Sequence, residues 1–247
     1  MKIFFVLLFL FFFAKLAFSQ ELIQSIKFGE IDKAMLLINA SKGLDEKDED
    51  SNTVLHIAAS TLNFDIVKRL IDLGVDVNIK NQNNETPLFL AVNNFLNGDS
   101  KPIIELLLKN GAKINLKGSN GRTLLEILCL AGFSDDPDGN QNRELAEFLI
   151  SKGADINEIG SYGSNFLTNS VYANKKALIE LALKYEPDIN HCDSSGMSSF
   201  LFSCSSGNDT VARLLIEKNA DIYKTNNYGE NCMTIAGIYG HQNIISL

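Results

Sequence analysis

The chain has 247 residues, 45% of them hydrophobic and 21% charged, with a formal net charge of −8. It is too apolar to be disordered and long enough to bury a substantial core. The acidity argues against nucleic acid as the main partner, which needs a basic surface, and three His with no Trp make His-based and metal-based catalysis poor first expectations.

Residues 1–19, MKIFFVLLFLFFFAKLAFS, depart from the rest: they hold seven of the 16 Phe and none of the 30 acids. Lys2 precedes an unbroken apolar run from Ile3 to Ala14, and Ala17 and Ser19 place small residues before Gln20. This is the pattern of a secretory signal peptide. The run falls short of the about 20 residues that span a bilayer, and Lys15 closes it. The expectation is an exported chain, in a bacterial periplasm or outside the cell, with no membrane association in its mature form.

From Gln20 onward, 22–38 (LIQSIKFGEIDKAMLLI) read as a helix pair. Two landmarks then recur. One is a turn entering a helix: SNTVLHIAA at 51–59, NETPLFLAV at 84–92, GRTLLEILC at 121–129, GSNFLTNSV at 163–171, GMSSFLFSC at 196–204 and GENCMTIAG at 229–237. The other is a helix end and turn: LIDLGVDVN at 70–78, LLKNGAKIN at 107–115, LISKGADIN at 149–157, ALKYEPDIN at 182–190 and LIEKNADIY at 215–223. With Thr53 as position zero, the equivalents Thr86, Thr123, Asn165, Ser198 and Asn231 follow at spacings of 33, 37, 42, 33 and 33. The turn residues Gly74, Gly111, Gly153, Glu186 and Asn219 repeat the last four spacings. Two landmarks thus report one period of 33 with insertions of four and nine residues, around Asn97–Ser100 and Ser134–Asn142. Both insertions are polar and read as surface loops between paired helices.

The Thr53-Val54-Leu55-His56-Ile57-Ala58 and Thr86-Pro87-Leu88-Phe89-Leu90-Ala91 stretches, with the GADIN-like ends, resemble the ankyrin repeat. The resemblance covers 20–247 and implies an all-α solenoid of helix pairs joined by short β-hairpin loops. The expected organisation is a signal peptide at 1–19, an N-terminal cap at 20–50, repeats at about 51–82, 83–119, 120–161, 162–194 and 195–227, and a partial repeat at 228–247. One helix pair cannot bury its apolar face alone, so stability would come from stacked neighbours.

The resemblance implies a non-catalytic role: binding a partner protein, as a monomer and with no cofactor, through a concave groove of hairpin tips and first helices. Its contact columns lie six, four, three and one residues before zero and seven and eight after. There the residues suited to anchor a partner are Arg122, Tyr162, Tyr172, Met197, Tyr228 and Tyr239. A secreted effector would look the same. A competing reading makes the acidic loop at 133–142 a metal-dependent binding or catalytic site, but its spacing fails the EF-hand rule. His191-Cys192-Asp193 lacks a third ligand at zinc spacing, and Gly160–Gly163 lacks the Lys of a phosphate loop. His56 is expected to bond between neighbouring turns, as in the family.

Cys129 and Cys204 occupy a small, buried helix position. Cys204 and Cys232 lie in adjacent repeats but five residues apart in register, which on level stacking is too far for a disulfide. Four free thiols are therefore expected. Repeat 4 is expected to be weak, because Glu186 stands where the others have Gly or Asn and Ser170 stands in a column of Ala58, Ala91 and Ala236.

Overall fold

The computed structural model describes residues 20–40, 44, 47–130 and 138–247. The leader at 1–19 and much of the acidic loop, including Asp135 and Asp136, lie outside the described residues. The chain forms two compact units that meet between Lys113 and Ile114.

In the first unit, α1 (20–27) and α2 (Ile31–Ala40) are followed by α3 (Val54–Ser60), α4 (Phe64–Asp72), α5 (Pro87–Asn93) and α6 (Lys101–Lys109). The second holds α7 (Leu124–Leu130), α8 (Asn140–Ser151), α9 (Phe166–Tyr172), α10 (Lys176–Lys184), α11 (Ser199–Ser206), α12 (Asp209–Glu217), α13 (Cys232–Tyr239) and α14 (Gln242–Ile245). First helices pack on first helices, α3 on α5 in one unit and α7, α9, α11 and α13 in succession in the other. Second helices do the same, as α4 with α6 and α8 with α10 show. Among the described residues there is no extended strand, only the single bridges Lys47–Thr53 and Cys192–Ser198.

The repeat motif has a local cause at each position. The zero residue is the N-cap: Thr53, Thr86, Thr123, Asn165, Ser198 and Asn231 each accept the backbone N–H three residues on. Only short side chains with an acceptor oxygen do this well, so the column holds Thr, Ser and Asn alone. The D-x-N of the helix-end motif is equally explicit. Asp76, Asp155, Asp188 and Asp221 each accept the N–H two residues later. Asn78, Asn115, Asn157 and Asn190 then each accept a backbone N–H just past the next repeat's helix end, at Lys113, Asp155, Asp188 and Asp221. The motif ties one repeat to the next.

Helix ends follow the expected chemistry, with φ of +80°, +88° and +100° at Gly74, Gly111 and Gly153 and +64° at Asn219. At these four ends the next N–H closes back onto the helix, from Val75 to Leu70, Ala112 to Leu107, Ala154 to Leu149 and Ala220 to Leu215. Glu186 adopts the same conformation at +50°, but Pro187 follows it and has no N–H to close the turn.

Three expectations need correction. Cys204 and Cys232 are joined in a disulfide, with Cα atoms 5.4 Å apart, so Cys129 and Cys192 are the free thiols. Level stacking was the wrong assumption: successive first helices are offset along their axes. Position six of one helix faces positions one to five of the next, and Cys129 Sγ accordingly lies 3.9 Å from the Phe166 carbonyl and 3.4 Å from Ser170 Oγ. The Ser170 hydroxyl is no defect either, because it donates to the Phe166 carbonyl at 2.7 Å. Finally, the second insertion is not wholly a loop. Asn140–Asn142 form the first turn of α8, and buried Asn142 donates to the Leu128 carbonyl at 2.6 Å.

Candidate functional site

Each hairpin finger closes with a backbone bond from the residue five before zero to the carbonyl one before zero, from Asp48 to Asn52 at 2.9 Å through Asn226 to Glu230 at 3.0 Å. In four fingers the donor residue is Asp48, Asn81, Asp193 or Asn226. Its Oδ1 also accepts the N–H groups two and four residues on. That side-chain cap organises the tip. Gly118 and Gly160 replace it in the remaining two fingers, where two consecutive residues turn left-handed: Asn120 and Gly121 at +55° and +77°, Tyr162 and Gly163 at +55° and +75°.

Tyr162 is the unusual member. A bulky L-residue loses roughly 1–2 kcal/mol in this conformation, yet Tyr162 is held there with its side chain 82% exposed. It does not pack flat between fingers. Gly160 has a steric reason as well: a Cβ there would collide with Glu126 Oε2. The Glu126 carboxylate, buried in α7 of the preceding repeat, enters that space and accepts the Ser161 N–H at 2.9 Å and the Ser161 hydroxyl. The Ser164 N–H, which an Asx cap would take, bonds the Ser161 carbonyl at 3.2 Å, as Arg122 does with Ser119 in the other Gly finger.

Behind this finger lies an open cavity of about 490 Å³. Tyr162, Tyr172, Met197 and Phe202 supply its apolar wall, and Glu126, Asn169 and Asp193 its polar one. Tyr172 meets Phe202 edge to face at 5.3 Å. Asn169 is 8% exposed, and its Nδ2 has no hydrogen-bond partner among the described residues. An enclosed amide donor without an acceptor costs about 1–3 kcal/mol.

Three of the six residues singled out from the register, Tyr162, Tyr172 and Met197, therefore converge on one cavity. Arg122 is half-buried outside its wall, with Nε enclosed and unpartnered among the described residues. Tyr228 and Tyr239 are exposed, also outside that wall, and Tyr239 stacks on His241 at 6.2 Å.

The histidines are all used between repeats. His56 Nε2 lies 3.1 Å from the Glu85 carbonyl, His191 Nε2 2.6 Å from Gly163 and His241 Nε2 2.9 Å from Ser205. A carbonyl only accepts, so each Nε2 carries the proton. His56 Nδ1 then accepts the Thr53 N–H at 3.1 Å. Burial holds the His56 pKa below its ordinary value, since the ring is taken from water in its neutral form. Cys129 is pushed up to about 12 by burial, and is an inert core thiol. Cys192 receives a hydrogen bond from Lys224 Nζ at 3.3 Å. Among the described residues no group of three or more His, Cys, Asp or Glu is placed to hold a metal.

The family model for ankyrin repeats (3 copies) matches residues 22–118, 78–160, 131–226 and 167–247. The chain belongs to the ankyrin repeat family. It is similar to the human transient receptor potential cation channel subfamily A member 1, at 28% identity over 143 residues, 58% of this chain and 12% of that protein. A fowlpox virus ankyrin repeat protein, FPV031, is 30% identical over 175 residues, 68% of this chain and 48% of that one. The palmitoyltransferase AKR1 of Lachancea kluyveri is 26% identical over 197 residues, 78% of this chain and 25% of the enzyme. The chain thus spans about half or less of each of these relatives. The fold also matches solved ankyrin domains: human ASB11 with TM-score 0.72, 18% identity and coverage of 91% and 96% of the two chains, and Bcl-3 with 0.74, 20%, 92% and 98%. Among the described residues no helix is long and apolar enough to cross a membrane.

Register columns missed Asn169, Glu126, Asp193 and Phe202. A signal for Asn169 was present: four residues after zero the other repeats carry Ile57, Leu90, Ile127, Phe202 and Ile235. One amide in an apolar column marks a position that packing alone does not explain.

Proposed function

We propose that this chain is an exported, non-catalytic binding protein that takes a partner protein on the face where Tyr162, Tyr172 and Met197 converge, flanked by Arg122, Tyr228 and Tyr239. One observation carries the reading: the cavity at the fingers of repeats 4 and 5 has an aromatic rim and an enclosed amide donor that meets no acceptor among the described residues. Exposed Tyr on a rigid scaffold contributes large contact area at low entropic cost. The ankyrin fold serves protein–protein interaction in general.

Two features support export: the apolar leader with Ala17-Phe18-Ser19 before Gln20, and the Cys204–Cys232 disulfide, which persists in oxidising compartments. The test is expression in the native organism with a C-terminal tag. Mature protein outside the cytoplasm beginning at Gln20 is expected, as is a crosslinked partner lost with the Tyr162→Ala/Tyr172→Ala pair. An intact Met1 in a cytoplasmic protein would remove the export reading. A crosslinking pattern unchanged by the pair would remove the binding face.

A further inference from the structure

We infer that the cavity receives an arginine side chain from the partner, with a main-chain carbonyl beside that arginine accepting from Asn169 Nδ2. This rests on the protein-binding reading above and names its chemistry. Among the described residues two carboxylates, Glu126 and Asp193, line the cavity, and no Lys or Arg does. Among the described residues uncharged donors alone hold them: Ser161 on Glu126, and the N–H groups of Ser195 and Met197 on Asp193 Oδ1. Neither joins an ion pair among the described residues, and the chain's net charge of −8 adds to the field.

Two carboxylates in a partly enclosed site repel an anion and attract a cation. The rest of the wall selects among cations. Tyr162, Tyr172, Met197 and Phe202 make it aromatic and polarisable. A guanidinium is planar, weakly hydrated, stacks on aromatic faces and forks to carboxylates, whereas an ammonium is a compact and strongly hydrated charge. A guanidinium has no acceptor, so Asn169 would stay unsatisfied by the side chain alone. The guest's own backbone carbonyl supplies what Asn169 lacks. An apolar guest would leave both the carboxylates and the amide unmet. The 490 Å³ volume lies at the scale of a single bound group with its backbone.

The experiment pans a random dodecapeptide display library on the full chain, then measures the enriched peptides by fluorescence anisotropy. Arg is expected to be enriched at one position. Replacing it by citrulline, which keeps the shape and removes the charge, should weaken binding about tenfold to the wild type. The same replacement should cost no more than about twofold against Asp193→Asn, which keeps the Oδ1 acceptor of the turn and loses the charge. Asn169→Leu puts in the apolar residue type of the neighbouring repeats and should weaken the peptides severalfold. Tyr172→Ala, at an exposed position, should abolish detectable binding, and unchanged circular dichroism confirms the fold of each variant. Enriched peptides that lack Arg but still need Tyr172 would overturn the arginine assignment and leave the binding face standing. Equal citrulline penalties in wild type and Asp193→Asn would place the arginine elsewhere and overturn it too. Peptides indifferent to Tyr172→Ala, or no enriched peptide at all, would overturn both this inference and the binding face on which it rests.

Discussion

Replacing Glu186 by Gly should stabilise the protein, although it deletes a side chain. Glu186 is exposed and its carboxylate takes part in no hydrogen bond or ion pair among the described residues, so the substitution removes no polar interaction there. What it relieves is a φ of +50° at the end of α10. A residue with a Cβ loses roughly 1–2 kcal/mol there, and Gly recovers most of that. Gly also gains freedom in the unfolded chain, which takes back about 0.4–1 kcal/mol. The net expectation is stabilisation of up to about 1 kcal/mol, a rise in Tm of roughly 2–4 °C for a chain of this size. Urea unfolding followed by far-ultraviolet circular dichroism measures it. Glu186→Ala is the control: it keeps the Cβ and should gain nothing. The local effect should be visible too. The helix end at Glu186 lacks the closing bond because Pro187 has no N–H, so amides in 165–190 should exchange faster than those in 86–115. Adding Pro187→Ala to Glu186→Gly offers the missing donor and should slow exchange in α10 further. A destabilising Glu186→Gly, or an equal gain from Glu186→Ala, would refute the account of this turn.

Other outcomes follow from the same structure. Thiol titration without reductant should find one reactive group in the native protein, Cys192, two after denaturation and four after reduction; four before reduction would disprove the Cys204–Cys232 pairing. Cys232→Ser should cost about 2–4 kcal/mol, read as a lowered urea midpoint, because the bridge closes a sizeable loop. His56 binds a proton more weakly folded than unfolded, so its stabilising contribution is complete above its ordinary value of 6.5 and is lost as pH falls through the depressed folded value. Stability should therefore decline less steeply between about pH 7 and pH 5 in His56→Asn than in wild type, and parallel profiles would count against a buried neutral ring. Deleting Ser134–Asn142 restores the period of 33 but removes the Asn142 bond to Leu128 and the Asp138 carbonyl that accepts from Ala177. It should destabilise by about 1–3 kcal/mol, and Asn142→Ala alone should account for much of the loss.

The fold was legible because its signals are local. An N-cap is set by one residue and the N–H three on, and a helix end by one left-handed position, so Thr53 and Gly74 announce themselves in any copy. The Asn of the D-x-N motif was visible as a recurrence, though its reason, a bond to the next repeat, is not local. What the sequence hid depends on how helices slide past one another. The Cys204–Cys232 bond turns on an axial offset between first helices that no single repeat encodes. The same offset brings Cys129 to Ser170 and turns an apparent packing fault into a satisfied hydroxyl. Half of the candidate site was legible for a related reason: Tyr162, Tyr172 and Met197 sit in columns that face outward whatever the offset. Asn169 and Glu126 project into the space between repeats, where their neighbours are fixed only by the stack.

Two members of the cavity wall, Glu126 and Tyr162, are brought there by the hairpin of the Gly160 finger. Where Asp or Asn stands five residues before zero, the finger caps itself and its tip needs one left-handed residue, as in the Asp193 finger with Gly196 at +78°. With Gly160 in that place, the Ser164 N–H turns to the Ser161 carbonyl, and the space a Cβ would take is filled by Glu126 of the previous repeat, which carries a carboxylate inward to the cavity wall. The uncapped tip turns through two left-handed residues, and the first of them is Tyr162. A loop with no task would be expected to hold Asn or Gly there, as the equivalent Asn120 does. The Glu126 carboxylate and the exposed Tyr162 thus meet at the Gly160 finger, while the neighbouring finger has Asp193 and adds the second carboxylate. Gly160→Asp would place two carboxylates in the space Glu126 now fills, so the side-chain cap of the other fingers cannot be built here without expelling Glu126 and dismantling the cavity wall.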